Sequence, residues 1–153
     1  MKRVLFYSYR WYEFDNFSSF RVHWNEIDWM TAEHAYQAAK FTDPVVIEVI
    51  KNARSAHDAK KIARAHDKER RPDWDEIKLS VMESILRAKL HQYIHIQKRL
   101  LATDGAEIVE DSSADSFWGC GPDGKGLNHC GKIWMKLRGE LIKREEFWEY
   151  FKV

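Results

Sequence analysis

Apolar positions along this chain change their spacing several times, and each change marks an element. Val4 to Tyr9 is apolar-rich and predicts a strand. Phe20-Arg21-Val22-His23-Trp24 and Ile27-Asp28-Trp29 alternate apolar with polar around Asn25-Glu26, the pattern of a hairpin. Thr31 is placed to cap a helix over Ala32–Phe41. Asp43-Pro44 opens a second helix, with proline where a missing N–H costs nothing. Ser55 followed by Asp58 resembles a capping box for a third. Asp73 can cap a fourth, whose Trp74, Ile77, Val81, Ile85 and Ala88 keep the helical period. A short helix should end at Thr103-Asp104-Gly105, Ile108-Val109 suit a strand, and a last helix runs from near Asn128 through Trp134, Leu137, Leu141 and Ile142. The expected fold is α+β: a mainly helical single domain over residues 1–153 with a small N-terminal β-sheet or hairpin.

Composition narrows the class. A chain of 153 residues suits one domain, and no repeat, low-complexity stretch or linker divides it. With 25 Lys plus Arg against 24 Asp plus Glu, a bulk polycation that coats nucleic acid is excluded. Two cysteines, Cys120 and Cys130, make no disulfide scaffold. No apolar run approaches a membrane span, and the first residues carry no signal-peptide core, so a cytoplasmic protein without a membrane partner is expected. Aromatic residues reach 14%, with seven tryptophans, enough both to fill a core and to supply a stacking surface.

Charge and glycine are distributed unevenly. Residues 51–72 hold eight Lys/Arg against three Asp/Glu, and residues 102–124 hold six Asp/Glu with no Lys or Arg. These are either solvated surfaces or, if brought together, the cationic and acidic ends of one site. None of the glycines precedes Gly105, and six of the seven lie by Gly131, so backbone freedom collects in a late loop.

Three constellations can carry chemistry. In the helix after Thr31, Glu33, Gln37 and Lys40 stand at i, i+4 and i+7, so a carboxylate, an amide and an amine share a face. They form either a ligand site or a solvated polar face, and the helix dipole should keep Glu33 ionised. Asp115 stands three residues before Trp118 and leads through a Gly-rich loop to Asn128, which joins an acid, an aromatic plate and an anion-holding helix start; a plain surface turn is the other reading. The cations Arg54, Lys60, Arg64, Arg70 and Arg71 precede Trp74 and suit a phosphate with a stacked base, although Trp74 equally suits the core. His91/His95 and Cys120/His129/Cys130 lack metal-ligand spacing, so no metal is expected.

Taken in order, Phe14-Asp15-Asn16-Phe17-Ser18, Trp29 to Phe41, Trp74-Asp75-Glu76-Ile77-Lys78, Arg87-Ala88-Lys89-Leu90, Asp115-Ser116-Phe117-Trp118-Gly119 and Gly124-Lys125-Gly126-Leu127-Asn128 resemble the NADAR (YbiA-like) family. Met30 replaces an expected proline, and His129-Cys130 replaces a more usual Arg/Lys-Leu pair before Gly131. The resemblance runs from Phe6 to about Leu141 and implies cleavage of a C–N glycosidic bond on a ribose phosphate.

Two substrates follow from it. One is a phosphoribosylamino-pyrimidine intermediate of riboflavin biosynthesis, releasing ribose 5-phosphate. The other is ADP-ribosyl-guanine in nucleic acid, and nucleic acid is a partner only in that case. A non-catalytic module that binds NAD or ADP-ribose derivatives is the third reading. Glu33 and Asp115 match the family's carboxylates: Glu33 for acid/base work, Asp115 for the ribose and the water, both on one cleft. Lys40 either traps the opened sugar as a Schiff base or pairs with phosphate. Trp74 and Trp118 would flank the base, Arg54, Arg64 and Arg71 are phosphate candidates, and Gln37 and Asn128 are expected to bind substrate. Water is the second reactant, so no cofactor is expected. Oligomeric state is left open.

Overall fold

The computed structural model describes residues 2–7 and 9–150, the last four by backbone alone. Ser8, within the strand expected over 4–9, and Met1 and residues 151–153 of the expected 1–153 domain, lie outside the described residues. The fold class is α+β and mainly helical, with short strands in two small sheets. Two compact units are present, one formed by residues 1–15 with 93–153 and the other by residues 16–92.

In the first unit, β1 (Arg3–Phe6) pairs in parallel with β4 (Glu107–Glu110), Val4 opposite Ile108 and Phe6 opposite Glu110. The N-terminal strand is therefore half of a two-stranded sheet whose partner comes a hundred residues later. β1 stops at Phe6 rather than at Tyr9; Tyr7 turns back to pair with Arg10. The helices of this unit are α5 (Ile94–Leu101) and α6 (His129–Tyr150). α5 ends two residues before the expected Thr103, and Asp104 and Gly105 both take left-handed φ in the turn that follows. Its core gathers Phe6, Phe14 and Trp134: the Phe14 ring meets Phe6 edge-on at 6.0 Å and Trp134 at 5.0 Å, and the Trp134 indole N–H donates to the Phe14 carbonyl at 3.0 Å. The indole's one polar group is thereby satisfied inside the core.

Asn128 links β4 to the start of α6. Its φ is +51°, a region asparagine tolerates better than most residues. Its side-chain N–H donates to the Ile108 carbonyl at 2.9 Å and its Oδ1 accepts the Glu110 N–H at 2.9 Å. The amide thus acts as a short strand along the edge of β4. Gly131 is required beside it, because a Cβ there would lie 2.1 Å from the Ile108 carbonyl oxygen. Both ends of this amide, expected to bind substrate, are engaged by backbone.

The second unit is built on α1 (Ala32–Ala38), which packs against α2 (Pro44–Lys51), α3 (Ala56–Ala65), α4 (Trp74–Gln92) and the hairpin of β2 (Val22–Trp24) and β3 (Ile27–Trp29). The hairpin forms around Asn25-Glu26 as its alternation predicts, both residues at positive φ as a tight two-residue turn requires. Asp43 and Ser55 cap α2 and α3, accepting from the Val45 and Asp58 backbone N–H groups. Thr31 caps α1: its hydroxyl accepts the His34 N–H at 3.2 Å and donates to His34 Nδ1, while His34 Nε2 donates to the Ala53 carbonyl at 3.1 Å. His34 therefore ties the start of α1 to the end of α2.

Replacing Asn128 with alanine should destabilise the protein by about 1–3 kcal/mol for each β4 backbone group left unpaired. Asn128→Gly removes the same bonds while easing the left-handed φ. Urea midpoints for the two variants should both fall; a glycine variant as stable as the parent would show that backbone geometry, not the amide, is what this position supplies.

Candidate active site

Every residue of α1 is buried. This overturns the alternative of a solvated polar face for Glu33 and Gln37, and it follows from geometry: a seven-residue helix surrounded by three helices and a hairpin has no side left for water. The small side chains Ala32, Ala35 and Ala38 let those neighbours approach, and the two polar side chains are enclosed with them. The expected continuation to Phe41 fails at Ala38, so Lys40 sits in the turn beyond the helix rather than two turns along the face of Glu33.

Glu33 is 5% exposed. Its backbone N–H donates to the Asn16 carbonyl at 3.1 Å. Gln37 Nε2 lies 2.5 Å from Oε1, and Asn16 Nδ2 lies 3.5 Å from Oε2. Asn16 is in turn fixed by Met82 of α4, 3.2 Å from its amide nitrogen. Burial pushes the Glu33 carboxyl above its ordinary value; the Gln37 contact, the cations Lys60 and Lys40, and the Asn16 contact act in the other direction without overcoming it. The ionised state expected from the helix dipole is therefore outweighed by desolvation.

Lys40 is half-buried, with its ammonium position 5.3 Å from the centre of the Tyr36 ring. Burial lowers its pKa; Glu33 raises it, Arg70 lowers it, Asp67 raises it and Lys60 lowers it. Glu33 and Lys40 are thus driven toward their neutral forms by the same cause. Lys60 also lies over the Phe17 ring at 5.8 Å, and that ring packs on His57 at 4.8 Å.

The other expected site residues fall into different surroundings. Trp74 is 2% exposed, tilted against Tyr36 at 5.2 Å, so of its two readings the structure adopts core packing. Arg71 is held by Asp73 through two contacts of 2.6 and 3.0 Å, which also pull the Asp73 carboxyl below the usual range; its backbone N–H fixes the Lys40 carbonyl at 2.8 Å. Arg71 positions the lysine turn, and its guanidinium already has a carboxylate. Arg64 is exposed, and Arg54 borders an open depression lined also by Glu48, Asp58 and Lys61. The charges acting on Glu33 come instead from Lys60 and Lys40, and Arg70 acts on Lys40.

Asp115 and Trp118 belong to the first unit. Asp115 Oδ1 accepts the backbone N–H groups of Phe117 and Trp118 at 2.9 and 2.7 Å, which folds the Phe-Trp-Gly turn. The half-buried Trp118 ring meets Phe117 edge-on at 4.9 Å, and Phe117 packs on His129 at 4.5 Å. Asn16 is the residue that spacing along α1 misses, since it reaches Glu33 from an irregular loop; its signal is the Phe14-Asp15-Asn16-Phe17-Ser18 run.

Known proteins resemble this chain over most of its length. The model of the NADAR domain matches residues 5–142. An N-glycosidase of Nostoc punctiforme, Npun_R5314, is 38% identical over 131 residues, covering 84% of each chain. The N-glycosidase YbiA of Escherichia coli is 37% identical over 129 residues, covering 84% of this chain and 81% of its own. The NMR structure of that YbiA superimposes with a TM-score of 0.86, covering 94% of this chain and 87% of that one at 35% identity. A chloroplastic riboflavin biosynthesis protein of Zea mays, PYRR, is 36% identical over 86% of this chain, which spans 24% of PYRR.

The class these relatives define is a hydrolase acting on N-glycosyl bonds. The chain belongs to the NADAR family.

Glu33 sets a pH dependence of stability. Its folded-state pKa lies above the unfolded one, so its contribution is fully present below the ordinary carboxylate value of 4.5 and is lost as pH rises through the folded value. Glu33→Gln should therefore raise the melting temperature at pH 8, by about 2–4 °C for each kcal/mol of relieved desolvation, and should change it little at pH 4. Thermal melts at the two pH values check the sign.

Proposed function

We propose that the protein hydrolyses the C–N bond of a phosphoribosylamino-pyrimidine intermediate of riboflavin biosynthesis, releasing ribose 5-phosphate and the free aminopyrimidine. The observation that carries this reading is a buried carboxyl, Glu33, pushed above its ordinary pKa by desolvation, together with an amine, Lys40, pushed below its own by the same cause. Breaking a glycosidic C–N bond needs a proton on the leaving nitrogen and stabilisation of an oxocarbenium-like or opened sugar. A neutral carboxyl supplies the first. A neutral amine adds to the anomeric carbon of the opened sugar, and the aminopyrimidine leaves with the proton from Glu33. Water then adds to the Lys40 Schiff base; the Glu33 carboxylate takes up its proton, and the bond to Lys40 breaks to give ribose 5-phosphate.

Lys60, rather than Arg71, is assigned to the phosphate, because Arg71 is already paired with Asp73 and Lys60 acts electrostatically on both Glu33 and Lys40. Asp115, for the ribose and water, and Trp118, as an aromatic plate, enter on the motif match alone. The choice of a pyrimidine leaving group draws support from the riboflavin biosynthesis names carried by the relatives from Zea mays and Vibrio vulnificus.

A side-by-side turnover assay tests this. Release of ribose 5-phosphate from the pyrimidine intermediate is expected, with Glu33→Gln slowing it about 10²–10⁴-fold, the usual worth of a general acid. Release of ADP-ribose from modified guanine, with none from the intermediate, would overturn the substrate. Borohydride during turnover should leave a sugar adduct on Lys40 detectable by mass spectrometry; turnover without an adduct would return Lys40 to phosphate binding.

A further inference from the structure

The two carboxamides around Glu33 leave an inconsistency. Gln37 is 2% exposed, and its Oε1 is buried without a hydrogen-bond partner, although its Nε2 lies 2.5 Å from Glu33 Oε1. An N–H···O bond is ordinarily 2.7–3.2 Å long, whereas charge-assisted or strong O–H···O bonds reach about 2.5–2.7 Å. The separation suits an O–H···O bond better than an N–H···O bond. A buried carbonyl without a donor also costs about 1–3 kcal/mol. Both observations point the same way: the oxygen of Gln37, not its nitrogen, belongs against Glu33.

We propose that Gln37 turns its carbonyl oxygen to Glu33 and accepts a hydrogen bond from the neutral carboxyl, which makes Gln37 a positioning residue for the acid rather than a substrate-binding one. Glu33 donates one hydrogen bond to Gln37 Oε1, so the orphaned carbonyl gains its donor, while Nε2 gives up Glu33 Oε1 and takes the buried place that Oε1 held; no group changes charge. The proton is held on Oε1 of Glu33, and Oε2 stays beside Asn16. The inference rests on the reading of Glu33 as the proton donor and adds how that proton is stored before it is used.

The charged groups acting on this carboxyl are Lys60, from α3, and Lys40, from the turn after α1, and both favour ionisation. Asn16 also does so through its N–H. The side of α1 toward α4 reaches the cluster through the Met82 thioether, which carries no charge. His34, next in sequence, is engaged by Thr31 and Ala53. Against two cations and one amide N–H, burial and an acceptor for the proton are the two features that keep Glu33 neutral.

Gln37→Met keeps the length of the side chain and removes both hydrogen-bonding ends. The two orientations of Gln37 predict opposite outcomes. If its carbonyl accepts from neutral Glu33, the substitution removes support for the protonated form, and the titration midpoint of Glu33 moves to lower pH. If its N–H donates to ionised Glu33, the midpoint moves to higher pH. Titration of the full chain followed by the carbon-13 resonance of the Glu33 side-chain carboxyl reads this without substrate. The expected result is a shift to lower pH, matched by a fall of kcat/KM at lower pH on the alkaline limb; a shift to higher pH, or none, overturns the proposal. If the methionine variant does not fold, infrared difference spectra of the unaltered protein against Glu33→Gln, taken below the Glu33 midpoint, decide it. A protonated-carboxyl stretch lost in the variant and lowered in frequency, as in a carboxyl that donates a hydrogen bond, supports the proposal; a stretch at the frequency of a carboxyl that donates to nothing overturns it. Neither spectroscopic measurement depends on turnover, so a wrong substrate would leave both results standing.

Discussion

The desolvation of one carboxyl group organises the second unit of this protein. Removing an ionised carboxylate from water costs several kcal/mol even after a protein relaxes around it, so such a group must be paired or must stay protonated. Burial moves Glu33 toward the second. Enclosure by three helices and a hairpin leaves it 5% exposed, and the neighbouring cations do not reverse the resulting upward pKa shift. Much of the surrounding architecture serves this enclosure. The alanines of α1 admit close neighbours, the Thr31–His34–Ala53 chain locks the helix start, and the Asn16 carbonyl anchors the backbone of Glu33 itself. Stability is lost in holding an acid in this state, and active sites are where proteins accept that loss.

Elements whose signals are local are legible in the sequence. The caps at Thr31, Asp43 and Ser55, the hairpin about Asn25-Glu26 and the long periodic helix from Trp74 all stand where their residues predict. Each depends on neighbours within four or five positions. The parallel pairing of β1 with β4 does not: Val4 and Ile108 meet across a hundred residues, and nothing in either strand specifies a partner. The end of α1 departs from its sequence pattern for a related reason. Ala39 and Lys40 have good helix propensity, but Arg71 donates to the Lys40 carbonyl, a tertiary contact that sequence spacing does not reveal.

The site shows the same division. Glu33 and Gln37 can be paired from their i, i+4 spacing, because that relation is internal to one helix. Whether that face meets water or protein cannot be read from it, since the polar pattern of α1 is compatible with both. Arg71 and Asn128 are visible as polar residues near motifs, yet their groups are taken up by Asp73 and by the β4 backbone. A residue type states what a side chain can do; only its partners state what it has left to offer a ligand.

Burial acts on Glu33 and Lys40 in opposite chemical senses and to a common end. It raises the pKa of the acid and lowers that of the amine. The attraction between their charged forms works against both changes, and desolvation outweighs it in each case. The consequence is that the carboxyl keeps its proton to higher pH, and the amine loses its own at lower pH, than either group would in water. In water at neutral pH the two groups would stand the other way round, as carboxylate and ammonium, with neither a proton to give nor a lone pair to attack with. Exclusion of solvent from one short helix and the turn that follows it thus moves both groups toward the forms that the proposed reaction uses. Lys60 is placed to act on both members: its charge favours ionised Glu33 and disfavours protonated Lys40. A substrate phosphate neutralising Lys60 would relax both effects, strengthening the acid's hold on its proton while returning some basicity to the amine, so anion binding and the protonation state of the reacting pair are linked through a single side chain.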